Sequence, residues 1–179
     1  MRSVSLAAAG LAFATTVLVA PVAGGDPAGA VASVFFVAKS ENKNQVHYGI
    51  HVDASCAPAG AQPVFVYWRM LERGPQATEP LLWQEQGAYG VAEQRVADRA
   101  PEGGRVLVRL NALPNRSVTV ATTRRDGVCR ADATVVIGGA RATLERVYAK
   151  LRWPFGVDYL EVAGRAVSDG HAVQERISP

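Results

Sequence analysis

The sequence predicts an all-β protein, an antiparallel β-sandwich or barrel of about nine to ten strands with at most one short helix. Residues 34–52 supply the first observation, because apolar side chains alternate regularly from Val46 to Val52, as they do in a half-buried strand. Residues 63–71 supply the second, since they are β-branched and aromatic on both faces, which is typical of a central strand. Short turns containing Gly, Pro, Asn or Asp then recur along the chain, and they favour hairpins.

The first residues resemble an export signal. Arg2 precedes an apolar run from Val4 to Ala20, and small residues follow it, which is the organisation of a cleavable signal peptide over residues 1–25. Cleavage fits after Gly25 or after Ala30, and we favour Gly25 because it lies closer to the apolar run. A retained membrane anchor is the alternative, since a span needs about 17 to 25 apolar residues. We therefore expect a secreted or periplasmic protein with no integral membrane segment after cleavage.

Residues 26–32 are rich in Gly, Ala and Pro, and we expect them to form a flexible leader. Residues 33–179 then form one all-β domain, since about 150 residues suffice for a single core and not for two. The opening strands of this domain form a hairpin over residues 34–52, joined by a polar turn.

The middle of the chain mixes loops, strands and one predicted helix. Residues 54–62 contain Pro and Gly and are expected to form a loop, whereas residues 78–85 begin like a short helix, with Thr78 as N-cap and Pro80 in the first turn. Residues 88–96 fit either a strand or a helix, and we favour a strand because glycines weaken a helix there.

The remaining segments alternate between strands and turns. Further strands are predicted over residues 105–110, 117–123, 129–137, 157–166 and 171–177. Residues 140–153 fit helical spacing and strand alternation equally well, so periodicity alone does not decide between them.

The mature chain contains two cysteines, Cys56 and Cys129. An even count in an exported protein predicts one disulfide bond, which would act as a structural staple. A redox pair or a nucleophilic thiol is the alternative, although the sequence contains no Cys-x-x-Cys motif.

Charge and composition limit the classes of partner. After cleavage, 18 basic residues (19 minus Arg2) face 16 acidic ones, and no basic run exceeds two residues. Such a mixed surface does not predict nucleic-acid binding. The preference for Arg over Lys, with abundant Ala, Gly and Val, is typical of a GC-rich bacterial genome.

The polar turn of the first hairpin is the candidate binding loop. It lies in sequence beside aromatic residues that could contact a glycan, a lipid head group or a peptide. The candidate ligand-binding residues are Lys39, Asn42, Asn44, Tyr48, Tyr67 and Trp68. An ordinary solvated turn and a packed aromatic core are the alternatives.

No catalytic residue, metal ligand or cofactor is predicted. His47 and His51 are four residues apart, but on a strand that separation is about 13 Å, too far for both to bind one ion. We expect them to be two partly exposed strand residues. The sequence also contains no Gly-x-Ser-x-Gly motif and no phosphate-binding loop.

Several fragments together resemble the family named domain of unknown function 4833. They are Val34–Val37, Asn42–Tyr48, Val66–Arg69, Ala88–Val91 and Val157–Gly164. The likeness spans Val34 to Ile177 in order and spacing. It implies a strand over residues 140–153, and it supplies no catalytic residue.

We therefore expect an exported, non-catalytic binding or envelope-associated protein, with a small ligand, a glycan or another protein as its partner. A carrier would need an apolar cavity or aromatic groove. The alternative is a secreted hydrolase whose acidic residues meet only in the fold, and a third possibility is a structural protein that pairs through sheet edges.

Overall fold

The computed structural model describes residues 29–152 and 156–178, and within them the chain is an all-β fold with one short helix, as predicted. The expected signal peptide, residues 1–25, lies outside the described residues. The strands are β1 (Gly29–Lys39), β2 (Gln45–Val52), β3 (Val64–Arg69), β4 (Thr78–Pro80), β5 (Val91–Ala100), β6 (Gly103–Leu110), β7 (Leu113–Arg125), β8 (Val128–Ile137), β9 (Ala140–Arg152), β10 (Gly156–Ala166) and β11 (Ala172–Ile177), and the helix is α1 (Trp83–Tyr89).

All these strands belong to one sheet, in the order β4-β3-β2-β1-β9-β8-β7-β6-β5, with β10 and β11 added on the other edge of β9. Neighbours are antiparallel except β1 and β9, which run parallel where Phe36–Lys39 meets Arg146–Ala149. The sheet is therefore mixed rather than wholly antiparallel. The reason is the length of β9, which pairs through one edge first with β8 and then with β1.

The sheet curls until its two ends approach each other, without closing into a barrel. The side-chain amide of Gln94 on β5 crosses the remaining gap to the backbone of Val64 on β3. It accepts the Val64 N–H at 2.8 Å and donates to the Val64 carbonyl at 3.0 Å. One side chain thus replaces a strand-to-strand ladder at this seam.

The core lies inside the curl and is filled by alternate residues of the strands. The predicted face of β2 is buried from Val46 to Val52, and Tyr48 stacks on Phe35 with ring centroids 4.5 Å apart. Each such apolar side chain contributes roughly 1.5 to 3 kcal/mol by leaving water. The Tyr48 hydroxyl is satisfied as well, because it donates to the Tyr89 carbonyl at 2.6 Å.

The predicted helix was placed too early. Thr78–Pro80 form strand β4 against Tyr67–Arg69, because the otherwise free edge of β3 offers them backbone partners. Pro80 can stand at this outer edge, where its missing N–H costs no ladder bond. The helix begins at Trp83 instead, and the Glu85 carboxylate accepts the N–H of Leu82 at 2.8 Å in its first turn.

The first and last residues of three other strands also differ from, or decide between, the predicted ones. Strand β1 begins at Gly29, so residues 29–32 of the expected leader are part of the sheet. Residues 91–100 form a strand, whereas Ala88 and Tyr89 end the helix. Residues 140–152 form β9, the strand that the family resemblance implied.

The disulfide is present between Cys56 and Cys129, with Cα atoms 5.3 Å apart. It joins the loop after β2 to the start of β8, so it links the two halves of the curled sheet.

Candidate functional site

Three of the six predicted binding residues come together. Lys39, Asn44 and Trp68 line a cavity of about 270 Å³ between β1, β3 and the start of α1. Its other lining residues are Met70, Glu79, Pro80, Leu82 and Glu85.

Contacts within the protein occupy the aromatic ring in this cavity. The Lys39 ammonium lies 4.9 Å from the centre of the Trp68 ring, and it also pairs with Glu41 at 3.5 Å. The indole N–H of Trp68 donates to Glu85 at 2.8 Å, and only 6% of Trp68 is exposed. A ring that is buried and covered by a cation offers no open face on which a sugar could stack.

Asn42 and Asn44 hold the turn itself. The Asn44 N–H donates to the Asn42 side-chain oxygen at 3.0 Å, which is the local bond typical of asparagine in turns. The Asn44 amide also donates to Glu72 at 3.3 Å and accepts the Glu72 N–H at 3.2 Å. Their polar groups therefore fix the turn to the loop after β3.

The two predicted tyrosines lie elsewhere. Tyr48 is fully buried in the core, and burial raises the pKa of its hydroxyl. Tyr67 lies on the opposite face of the sheet from Trp68, where its hydroxyl donates to the Ala32 carbonyl at 3.0 Å. Burial raises the pKa of Tyr67 as well, with Arg69 acting in the other direction.

The two histidines of β2 differ in environment. His47, expected to be partly exposed, is only 3% exposed because the rings of Phe36 and Tyr67 lie on either side of it. Burial, helped by the charge of Arg69, lowers the pKa of His47 to about 4. His51 is exposed. Within residues 29–152 and 156–178, no group of three His, Cys, Asp or Glu side chains is placed to hold a metal ion.

A second and larger cavity lies at one end of the curled sheet, between the end of α1, the β6–β7 turn and the β10–β11 hairpin. Its volume is about 620 Å³, within the usual range for small-molecule sites. Buried side chains form its floor: Val37, Leu113 and Ala149. Half-buried Tyr89, Leu160 and Ile177 form its walls. We call this space the apolar cavity.

The mouth of the apolar cavity is polar. Asn115 and Ser178 are exposed there, and Arg116 lies beside them. The Arg116 guanidinium binds Glu175 on β11 through two hydrogen bonds of 2.5 and 2.9 Å. Hydrogen bonds from Arg116 and from the Gly138 N–H lower the pKa of Glu175 to about 2. This ion pair fixes β11 over the side of the cavity.

Sequence reasoning missed this cavity because its lining comes from six separate parts of the chain. Leu113 lies at the start of β7, Leu160 in β10 and Ile177 at the end of β11. The only available signal was that these residues belong to the apolar faces of predicted strands, and every core residue shares that signal.

Acidic side chains of the kind that a hydrolase uses lie at the smaller cavity and in the β10–β11 turn. Glu79 and Glu85 line the smaller cavity, but Arg73 binds Glu79, and Glu85 accepts two N–H groups. His171 and Asp169 contact each other at 2.5 Å in the exposed β10–β11 turn rather than in a cleft. The carboxylates thus engage in contacts of the protein itself.

In the described part of the chain, no helix is long and apolar enough to cross a membrane.

Comparisons with known proteins identify a family. No curated protein and no solved structure shows significant similarity to the chain. A family model described as "Domain of unknown function (DUF4833)" matches residues 35–176. Because this match covers well over half of the 179 residues, the chain belongs to the DUF4833 family.

Proposed function

We propose that the protein is an exported carrier or binding protein that holds a small, largely apolar molecule in the apolar cavity. The observation that carries the proposal is the cavity itself, about 620 Å³ lined by the side chains of Val37, Leu113, Leu160 and Ile177. Water in such a space finds few hydrogen-bond partners, so an apolar ligand that displaces it gains free energy. The centre of the curled sheet is packed with side chains, so the binding space lies beside the core.

Export is part of the proposal. The apolar run from Val4 to Ala20 supports it, and so does the disulfide between Cys56 and Cys129, because such bonds persist in oxidising compartments. The N-terminal residue of protein recovered outside the cytoplasm tests it. Cleavage after Gly25 leaves Asp26 as the first residue, whereas an intact Met1 would contradict export through a cleavable signal.

Native mass spectrometry of protein purified gently from its own host tests the carrier function. We expect an added mass that leaves on denaturation. Leu160→Trp should lower the fraction of protein that carries this added mass, because the larger ring intrudes into the cavity from its wall. Val167→Trp is the matched control, since Val167 is 55% exposed just beyond the same strand. An added mass that persists equally in both variants would place the ligand elsewhere, and a bare wild-type protein would count against a carrier.

A secreted hydrolase is the alternative function. Its support is the presence of Glu79 and Glu85 at one cavity. If the purified protein hydrolyses an ester or glycoside substrate, Glu85→Gln should abolish that activity, and unchanged turnover would remove these residues from consideration.

A further inference from the structure

The inference concerns the head group of the bound molecule, and it rests on the carrier function proposed above. Arg116 is the one charged residue among the described residues that line the apolar cavity. The polar residues there, Asn111, Asn115 and Ser178, are uncharged. The lining therefore contains one positive charge and no carboxylate, and the carboxylate that pairs with Arg116, Glu175, lies outside the lining.

Not all of the donors of Arg116 are in use. A guanidinium carries five N–H groups in a fixed plane. Nη1 donates to Glu175 and to the Val136 carbonyl, and Nη2 donates once to Glu175. The Nε–H and the second Nη2–H have no protein partner within residues 29–152 and 156–178. These two donors lie side by side on one edge of the guanidinium, which is the arrangement that binds two oxygens of a carboxylate or phosphate.

Glu175 fixes the orientation of the guanidinium, and so of this edge. Its two hydrogen bonds hold the far edge of the guanidinium, and the Gly138 N–H holds Glu175 in turn at 2.6 Å. The Arg116 side chain is 21% exposed, so an anion can reach it while competing water is limited. A pre-positioned arginine loses less freedom on binding than a mobile one.

We infer that the apolar cavity binds an anionic amphiphile, with one apolar chain inside and a carboxylate or phosphate head on the Nε/Nη2 edge of Arg116. The same head chemistry occurs in free fatty acids and in phospholipid-derived molecules.

Isothermal titration with matched twelve-carbon probes tests the inference. Dodecanoate, dodecanol and protonated dodecylamine share the chain and differ in head charge, and each is used below the concentration at which it self-associates. We expect dodecanoate to bind about tenfold or more tightly than dodecanol, because charge-assisted hydrogen bonds are worth more than neutral ones. Dodecylamine should bind most weakly. Dodecyl phosphate, and the ligand mass from native spectra, then distinguish a fatty acid from a phosphate-bearing lipid.

Two variants assign the preference to Arg116. The double variant R116Q/E175Q replaces the ion pair by two amides, so it should bind dodecanoate and dodecanol equally well while retaining the cavity. E175Q alone keeps the arginine and should keep the preference for dodecanoate. Thermal unfolding of each variant establishes that it is folded before titration.

The outcomes separate the two proposals. Equal binding of dodecanoate and dodecanol by the wild type would overturn the head-group inference and leave the carrier function standing. A preference that survives in R116Q/E175Q would overturn the role of Arg116. If no probe binds and the protein from its host carries no ligand, the carrier function itself fails.

Discussion

At the scale of single residues, the imidazole of His47 is kept neutral by burial and by the nearby charge of Arg69. Its Nε2 lies 2.9 Å from the Gln45 side-chain oxygen, which only accepts, so Nε2 carries the proton. Its Nδ1 accepts a hydrogen bond from the Ser33 hydroxyl at 2.7 Å. Protonation of Nδ1 would reverse the second bond, since a hydroxyl also accepts, and would place a buried charge near Arg69. The low pKa of His47 therefore follows from burial first and from the charge of Arg69 second.

This environment predicts a loss of stability on mild acidification. The folded-state pKa of His47 is about 4, whereas an unfolded histidine has a pKa of about 6.5. Above pH 6.5 both states are neutral, and as pH falls from 6.5 to 4 only the unfolded state gains a proton. The free energy of unfolding should then decrease, by about 2 to 3 kcal/mol across this window.

Urea unfolding of wild type and His47→Phe at a series of pH values measures this effect. The substitution keeps a ring between Phe36 and Tyr67 and removes the titrating group, so the curve of stability against pH should flatten between pH 6.5 and 4. His51→Gln, an exposed histidine of the same strand, is the matched control and should retain the wild-type decline. A parallel decline in His47→Phe would refute the assignment.

At the scale of elements, one side chain supplies the hydrogen bonds between β3 and β5, while Arg99 of β5 binds the loop before β3 through the Pro58 and Gly60 carbonyls. Val64 is buried, and both of its backbone polar groups are bonded to the Gln94 amide. Gln94→Ala should leave them unsatisfied and lower the free energy of unfolding by about 1 to 3 kcal/mol.

Hydrogen exchange locates this effect at the seam. The Val64 amide should lose protection in Gln94→Ala, while amides in the β6–β7 ladder keep theirs. Gln174→Ala, an exposed glutamine on β11, provides the control and should change stability by less than about 0.5 kcal/mol. If the Val64 amide stays protected, the gap is closed by something other than Gln94.

Some strands could be predicted from the sequence, whereas the position of the helix could not. Alternation from Val46 to Val52 predicted the core-facing side of β2 correctly. It did not predict that the other face is buried as well at His47, where the rings of Phe36 and Tyr67 cover it. The helix over 78–85 was wrong because the free edge of β3 outweighs the local capping signal at Thr78. Residues 140–153 were undecided by periodicity, and the family resemblance gave the correct strand.

The candidate sites were less predictable than the strands. Lys39 and Trp68 could be grouped from sequence because β1, β2 and β3 are consecutive neighbours in the sheet. Arg116 and Glu175 could not, since they are 59 residues apart and meet only because β11 folds back past β8. A cavity lined from six segments has no local signature, since each segment carries only a general apolar pattern.

At the scale of the whole molecule, the curled sheet consists of two halves that meet at β9. Strands β1 to β4 form one half and β5 to β8 the other, and both attach to the same edge of β9. The Cys56–Cys129 bond joins the loop after β2 to β8, and therefore crosses from one half to the other. Together with the Gln94 seam and the hydrogen bonds from Arg99 to the Pro58 and Gly60 carbonyls, this bond fixes the curl.

Removing this bond should destabilise the entire fold rather than one region. The two cysteines are 73 residues apart, and closing a loop of that size removes about 4 kcal/mol of entropy from the unfolded chain. The double variant Cys56→Ala with Cys129→Ala should lower the free energy of unfolding by that amount, measured by urea denaturation. Dithiothreitol should produce a similar loss in the wild type and none in the double variant, which controls for packing changes at the two sites. A loss below about 1 kcal/mol would mean that the unfolded chain gains little from the staple. In that case the ladders on either side of β9 would be sufficient to hold the two halves of the sheet together.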